Sequence, residues 1–247
     1  MTKSIADVVY PERRFGGFSR VDGTIAFYTR IAGLLNETTR VLDIGCGRGQ
    51  VSEDPCRIRR QLCDPRGEQR HVLGIDVDDA ARVNPIIDEY RPIENVDVWP
   101  VDSNSIDVAI ANSVVEHVAH PERFFGEAFR VLKPGGYLAV RTYNTWSYVG
   151  IASRLVPNSL HAAVTSKVQK TRKHEDVFPT LYRCNTRRKL TSAMRRAGLD
   201  AYVYAIETEP NYLQFSRILY RLGAIAHSVM PPAFRWTLLA FGQKPEK

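Results

Sequence analysis

Three glycines at alternate positions, Gly45, Gly47 and Gly49, follow the apolar run Val41, Leu42 and Ile44. Asp43 interrupts that run two residues before the first glycine. A β-type run that breaks into a glycine-rich turn lets a ligand lie against bare backbone, because glycine adopts positive φ and carries no side chain. The acid selects the ligand. A pyrophosphate approaching Asp43 would meet an unfavourable negative charge, whereas an ammonium and a sulfonium would be attracted. S-adenosyl-L-methionine (SAM) carries both groups, so the loop favours SAM over NAD. Gln50 also stands where a third glycine of G-x-G-x-x-G would fall. Cys46 fills a loop position where a small residue suffices.

Such a loop needs a strand beneath it and helices beside it. Strand one is predicted at 40–44 and strand two at His71–Asp76, again apolar and again ending in an acid. Ile106–Ala111 reads as strand four and 137–142 as strand five. A helix is predicted from Asp22 as cap to about Leu35, with Ile25, Tyr28, Ile31 and Leu35 on one face. Asp54-Pro55 reads as an N-cap and first helical residue, opening a helix to about Leu62. Pro121 opens another to Leu132, and Lys133-Pro-Gly-Gly reads as a turn. This alternation is the rhythm of a parallel sheet wrapped by helices through right-handed crossovers.

After strand five the rhythm breaks. A long connection, 145–185, precedes a helix capped by Thr186 and stopped by Gly198. Strand six follows at about 200–207. A second insertion, 209–234, holds an amphipathic helix bearing Leu213, Ile218, Leu222 and Ile225, and ends at Pro231-Pro232. The last strand is expected at 235–241. Excursions of this length tend to be lids or binding elements, here on the substrate side of the sheet. The 209–234 helix reads as a lid over the substrate, with a membrane-surface role as the alternative, since Arg217 and Arg221 accompany its apolar face.

A chain of 247 residues supports one large α/β domain, and its 44% hydrophobic and 25% charged content is ordinary for a globular protein. No apolar stretch approaches the ~20 residues of a membrane span, and no signal-peptide core opens the chain. A cytoplasmic location is the expectation. Cys46, Cys56, Cys63 and Cys184 form no CxxC pair and no zinc spacing, which predicts free thiols and no metal. The net charge of +7 is unevenly spread. Residues 141–200 hold twelve Lys and Arg against three acids, a net of +9. Such a segment suits nucleic acid, anionic lipid or a phosphorylated substrate, or is a solvated face.

Five motifs now stand in order: Val41-Leu-Asp-Ile-Gly-Cys-Gly-Arg-Gly49, Gly74-Ile-Asp76, Ser105-Ile-Asp-Val-Ala-Ile-Ala111, Val115-Glu-His-Val118 and Arg130-Val-Leu-Lys-Pro-Gly-Gly136. The series resembles the class I SAM-dependent methyltransferases, in particular the subgroup that includes ubiquinone and menaquinone methyltransferases. The resemblance covers about residues 38–144. It implies a single α/β domain over 1–247, a Rossmann-like, doubly wound, mostly parallel seven-stranded sheet with helices on both faces and an antiparallel last strand. The core would be about 38–144 and 186–243, with an N-terminal cap at 1–37 and insertions at 145–185 and 209–234.

Carried over position by position, the resemblance places Gly45, Cys46, Gly47 and Gly49 under the methionine part of SAM, with Asp43 fixing the loop and its ammonium contact. Asp76 would accept the two ribose hydroxyls, two oxygens matching two donors. Val77 would pack on the adenine, and Asp97 is the nearest candidate for reading the adenine amino group. Asn112 and Ser113 would stand where the methyl is presented. Glu116 and His117 follow. Some quinone O-methyltransferases hold a divalent metal here with two acids and a histidine. Ser113 replaces the first acid, so no metal is expected. His117 is the candidate general base for an acceptor hydroxyl, since imidazole titrates near neutrality. His120 reads as a helix-entry residue. His174-Glu175-Asp176, Tyr182, Arg172 and Arg183 are alternative bases or clamps, and Tyr143, Trp146 and Tyr148 are candidate pocket walls.

The activity so implied is O-methylation of a small molecule, glycan or lipid-linked precursor. An RNA methyltransferase using the basic 141–200 segment is the alternative, although Asn112-Ser-Val-Val replaces an Asn-Pro-Pro-Tyr-type motif. A SAM-binding interaction protein without catalysis is a third reading, and an NAD oxidoreductase a fourth.

Overall fold

In a computed structural model, seven strands form one sheet; the structure describes residues 4–148, 150–151 and 179–246. The strands are β1 (Arg40–Ile44), β2 (His71–Asp76), β3 (Glu89–Pro92), β4 (Ile106–Asn112), β5 (Leu132–Tyr143), β6 (Asp200–Ile206) and β7 (Thr237–Gln243). Their order is β3-β2-β1-β4-β5-β7-β6. The pairs from β3 to β5 are parallel, and β7 runs antiparallel to both β5 and β6.

Alternation along the strands divides the core. Leu42, Ile44, Leu73 and Ile75 pack beneath α4 (Pro121–Val131) and α5 (Arg187–Arg196). Val41, Val72, Val108 and Ile110 pack on the opposite side against α2 (Gly23–Ala32) and α3 (Arg57–Cys63). Side chains one residue apart on a strand point to opposite faces, so each strand serves both helical layers. A separate cluster joins α1 (Ile5–Val9) to α6 (Arg217–Ser228) through Ala6, Tyr10 and Tyr220.

The caps of α2 and α5 are as expected: Asp22 accepts from Thr24 and Ile25, and Thr186 from Lys189. Four details differ. The helix expected from Asp54 starts instead at Arg57, with Cys56 as its cap residue. Asp54 is engaged elsewhere, accepting from Cys56 N at 2.7 Å and holding Arg59 by two hydrogen bonds. Lys133-Pro-Gly-Gly is part of β5 rather than a free turn, because the pairing jumps from Ile106–Leu132 to Val108–Tyr137 and absorbs the extra residues. β7 begins two residues later than expected. Finally, four-residue β3 has no counterpart in the pattern-based strands: it is short, lies at the sheet edge and ends in proline.

The polypeptide that leaves β5 returns to the same point. Tyr143 pairs with Thr237, and Asn144 N donates to Trp236 O at 2.7 Å. The Asn144 side chain also donates to the carbonyls of Ala233 and Arg235.

Candidate functional site

The C-terminal ends of β1, β2 and β4 meet at a cavity of about 800 Å³. Its floor is the 45–49 loop, where Gly45, Gly47 and Gly49 have φ of +65°, +51° and +70°. A Cβ on Gly45 would stand 2.6 Å from Val114, and one on Gly49 2.3 Å from Asn84. Those two glycines serve packing. A Cβ on Gly47 would meet nothing within 4 Å, so the space it leaves belongs to the cavity.

Asn84 braces the loop, and the sequence offered only the turn-forming dipeptide Asn84-Pro85 as a hint of it. Its buried Nδ2 donates to the carbonyls of Cys46 (2.9 Å) and Gly47 (3.1 Å). Cys46 turns its sulfur toward Gly74, where a Cβ would approach it to 2.8 Å. Burial pushes the Cys46 thiol up, away from reactivity.

The two acids named by the sequence both line the cavity. Asp76 accepts from Gly47 N at 2.8 Å and from Asp78 N at 3.0 Å, which orients the carboxylate and leaves each oxygen a further lone pair. Asp43 has no hydrogen-bond donor and no cation beside it among the described residues. Burial, reinforced by the nearby Asp76 charge, pushes its carboxyl up to about 7. A half-buried, unpaired carboxylate next to a second one is costly without a cation. An ammonium and a sulfonium therefore fit this site, and a pyrophosphate does not.

Val77 lies exposed on the wall, as a packing surface for a flat ring requires. Asp97 also reaches the wall, but its carboxylate is held by Arg123 at the start of α4. Asn112 and Ser113 are at the mouth, and Ser113 takes a φ of +60°, a strained value for a residue with a Cβ. Asn112 Oδ1 accepts from Arg141 Nε at 2.7 Å, and Arg141 continues to Thr24 Oγ1 at 2.8 Å. Arg141 thus ties β5 to α2 across the mouth; as a member of the basic segment it was legible only as charge.

Glu116 and His117 separate. Glu116 is 1% exposed and is not among the residues lining the cavity, which removes it as a catalytic candidate. Its carboxylate accepts from Thr142 Oγ1 at 2.7 Å, burial pushes its pKa up, and its carbonyl receives Leu181 N and Tyr182 N. It organises the return of the chain at 181–182. His117 does line the cavity, with Nδ1 3.0 Å from the Pro179 carbonyl. That contact requires a proton on Nδ1, so the neutral ring carries its lone pair on Nε2, the tautomer a base needs. His120 lies on the wall beside Glu122, at the entry of α4 as expected.

His174-Glu175-Asp176 and Arg172 lie outside the described residues. Tyr182 and Arg183 lie outside the cavity wall. Tyr143 lines a second cavity of about 440 Å³, Trp146 is exposed on a third, and Tyr148 packs on the rings of Trp236 and His227. The second cavity matters because Thr24, Asp54 and Arg141 line it and the first alike. Tyr212, Trp236 and Tyr143 give it aromatic walls, and Arg13, Glu209 and Asn211 give it polar ones. No group of His, Cys, Asp or Glu among the described residues has the arrangement of a metal site.

A family model described as a methyltransferase domain matches residues 19–203. Mouse mitochondrial ubiquinone biosynthesis O-methyltransferase is 31% identical over 114 residues, which cover 42% of this chain and 29% of that protein. The chain spans less than half the length of the curated relatives it matches. Among solved structures, a Haloferax volcanii methyltransferase in complex with its activator gives a TM-score of 0.55 at 20% identity, covering 90% of each chain. Streptomyces coelicolor geranyl diphosphate C-methyltransferase, solved with S-adenosyl-L-homocysteine, gives 0.53 at 16% identity, covering 88% of this chain and 77% of that one. At these identities the structural likeness concerns the fold.

Proposed function

The chain belongs to the SAM-dependent methyltransferase family, and we propose that it transfers a methyl group to a hydroxyl of a small molecule, glycan or lipid-linked acceptor. When bound, SAM supplies a methyl group already activated by its sulfonium. Asp43 would receive the ammonium, Asp76 the ribose hydroxyls, and Gly47 the methionine part. The protein's remaining task is alignment, which alone accounts for much of the acceleration in reactions of this kind.

The observation that carries the hydroxyl reading is His117, a cavity-wall imidazole whose Nδ1 contact leaves Nε2 as the basic nitrogen. Nε2 takes the proton that a hydroxyl loses as it is methylated. The name of the mouse relative supports oxygen as the methylated atom. The second cavity, which shares Thr24, Asp54 and Arg141 with the first, is where the body of the acceptor would rest. Its lining has many hydrogen-bonding groups and little aliphatic surface, which suits a polar, ring-bearing acceptor.

The arginine face of α5, with Arg187, Arg188, Arg195 and Arg196, borders a separate groove that shares no lining residue with the donor cavity. It lends the RNA alternative no support.

A panel of hydroxylated acceptors assayed with labelled SAM, beside His117→Ala, tests the reading. Calorimetric affinity for SAM should stay within about twofold while kcat falls roughly 10²–10⁴-fold. Unchanged kcat in His117→Ala would remove the base from the mechanism.

A further inference from the structure

The helix expected to close over the substrate turns its apolar side outward. Ile218, Leu222, Ile225 and Val229 recur at helical spacing along α6 and its C-terminal flank, and are 71%, 57%, 63% and 76% exposed. Phe215 continues the stripe and is equally open. Tyr220 and His227 occupy the opposite side and are buried, Tyr220 against the ring of Tyr10 and His227 against that of Tyr148. The helix is therefore anchored firmly by one face and offers the other.

Charge decides what that face accepts. From Pro210 to Arg235 the chain contains Arg217, Arg221 and Arg235 and no aspartate or glutamate. At 100° per residue, Arg217 and Arg221 both fall along one border of the stripe. A second copy of the chain meeting this face across a twofold axis would bring the same arginines together. An anionic bilayer surface complements both features: acyl chains receive the apolar stripe, and phosphates receive the arginines. No helix among the described residues is long and apolar enough to cross a membrane.

We propose that α6 is a docking helix that lies in the interface of an anionic phospholipid membrane. Asn211, Tyr212 and Gln214, just before α6, line the second cavity. Docking would therefore hold that cavity against the lipid surface and select an acceptor carried by a lipid. This consequence rests on the function proposed above; the docking itself does not.

The test is co-sedimentation of the full chain with phosphatidylcholine vesicles, with and without phosphatidylglycerol. The intact chain should pellet with the anionic vesicles and be released by high salt. Each of Arg217→Gln and Arg221→Gln should weaken binding about fivefold. Ile218→Asp with Leu222→Asp should abolish it, with no loss of melting temperature because both positions are exposed. Absence of pelleting by the intact chain, or equal pelleting by the Ile218/Leu222 variant, overturns the proposal. So does a dimer in size-exclusion chromatography that this variant converts to monomer, which assigns the face to a second copy. A large drop in the variant's melting temperature with pelleting retained assigns the face to another part of the chain, and equally overturns it. Because SAM affinity is read separately by calorimetry, failure to dock is distinguishable from failure of the methyltransferase reading.

Discussion

Two carboxylates, one in each half of the molecule, are pushed up to about 7 by burial, and they have opposite surroundings. Glu207, just after β6, lies 3.1 Å from His227 Nδ1 and accepts backbone hydrogen bonds from Thr208 and Trp236. Asp43, on the donor side, has Asp76 for a neighbour and no partner of opposite sign among the described residues. The first carboxylate is satisfied by its own protein. The second would be satisfied by a cationic ligand, which makes the donor cavity a preorganised receptor and the Glu207–His227 contact a self-contained one.

The sharpest blow to this contrast falls on the loop. Gly49→Ala should destabilise by roughly 2–4 kcal/mol and abolish measurable SAM binding, since its Cβ collides with Asn84 at a positive φ. Thermal scans and calorimetry read the two effects. Next, Asp43→Asn should weaken SAM about 100-fold, by loss of a charge-assisted contact, without lowering the melting temperature. If that variant bound SAM at full strength, the receptor assignment would fail.

The pH dependence is smaller and has a defined sign. Below about 7 Asp43 holds a proton that must leave before the ammonium is received, so affinity should fall about tenfold per unit from pH 7 to about pH 5. Asp43→Asn should flatten that profile. For the free protein the linkage runs the other way. The raised carboxyl favours folding while protonated, and this contribution is lost as pH rises from the ordinary aspartate range through about 7. On the other side of the comparison, Glu207→Gln should cost roughly 1–2 kcal/mol of stability and leave SAM affinity unchanged. Smallest of all, Tyr212→Phe should raise the acceptor KM a few-fold with kcat and SAM affinity unaltered. Any loss of SAM affinity in these last two variants would dissolve the division into halves.

The donor half was legible because its chemistry is local. Asp43, the three glycines and Asp76 lie at strand ends, where an apolar run, an acid and a glycine each have one dominant structural meaning. Asn84 escaped because its role depends on two carbonyls 37 and 38 residues away. Glu116 was misplaced for a related reason. Its neighbour His117 faces the cavity, but a short 3-10 turn at Val115–His117 rotates the acid into the core, toward Thr142. Periodicity identified α6 as amphipathic, yet it could not tell which side would be covered. Tyr220, outside the aliphatic stripe, supplies the anchor, and the stripe itself is left to solvent.

Strand β7 gives the sheet an order of completion. It is the last of the seven strands to leave the ribosome, yet it sits between β5 and β6 and, among the described residues, is the only sheet partner β6 has. Until residues 237–243 emerge, β5 presents an open edge of the kind that recruits foreign strands. Loss of those seven residues would therefore leave β5 with an adhesive border and β6 with nothing to join.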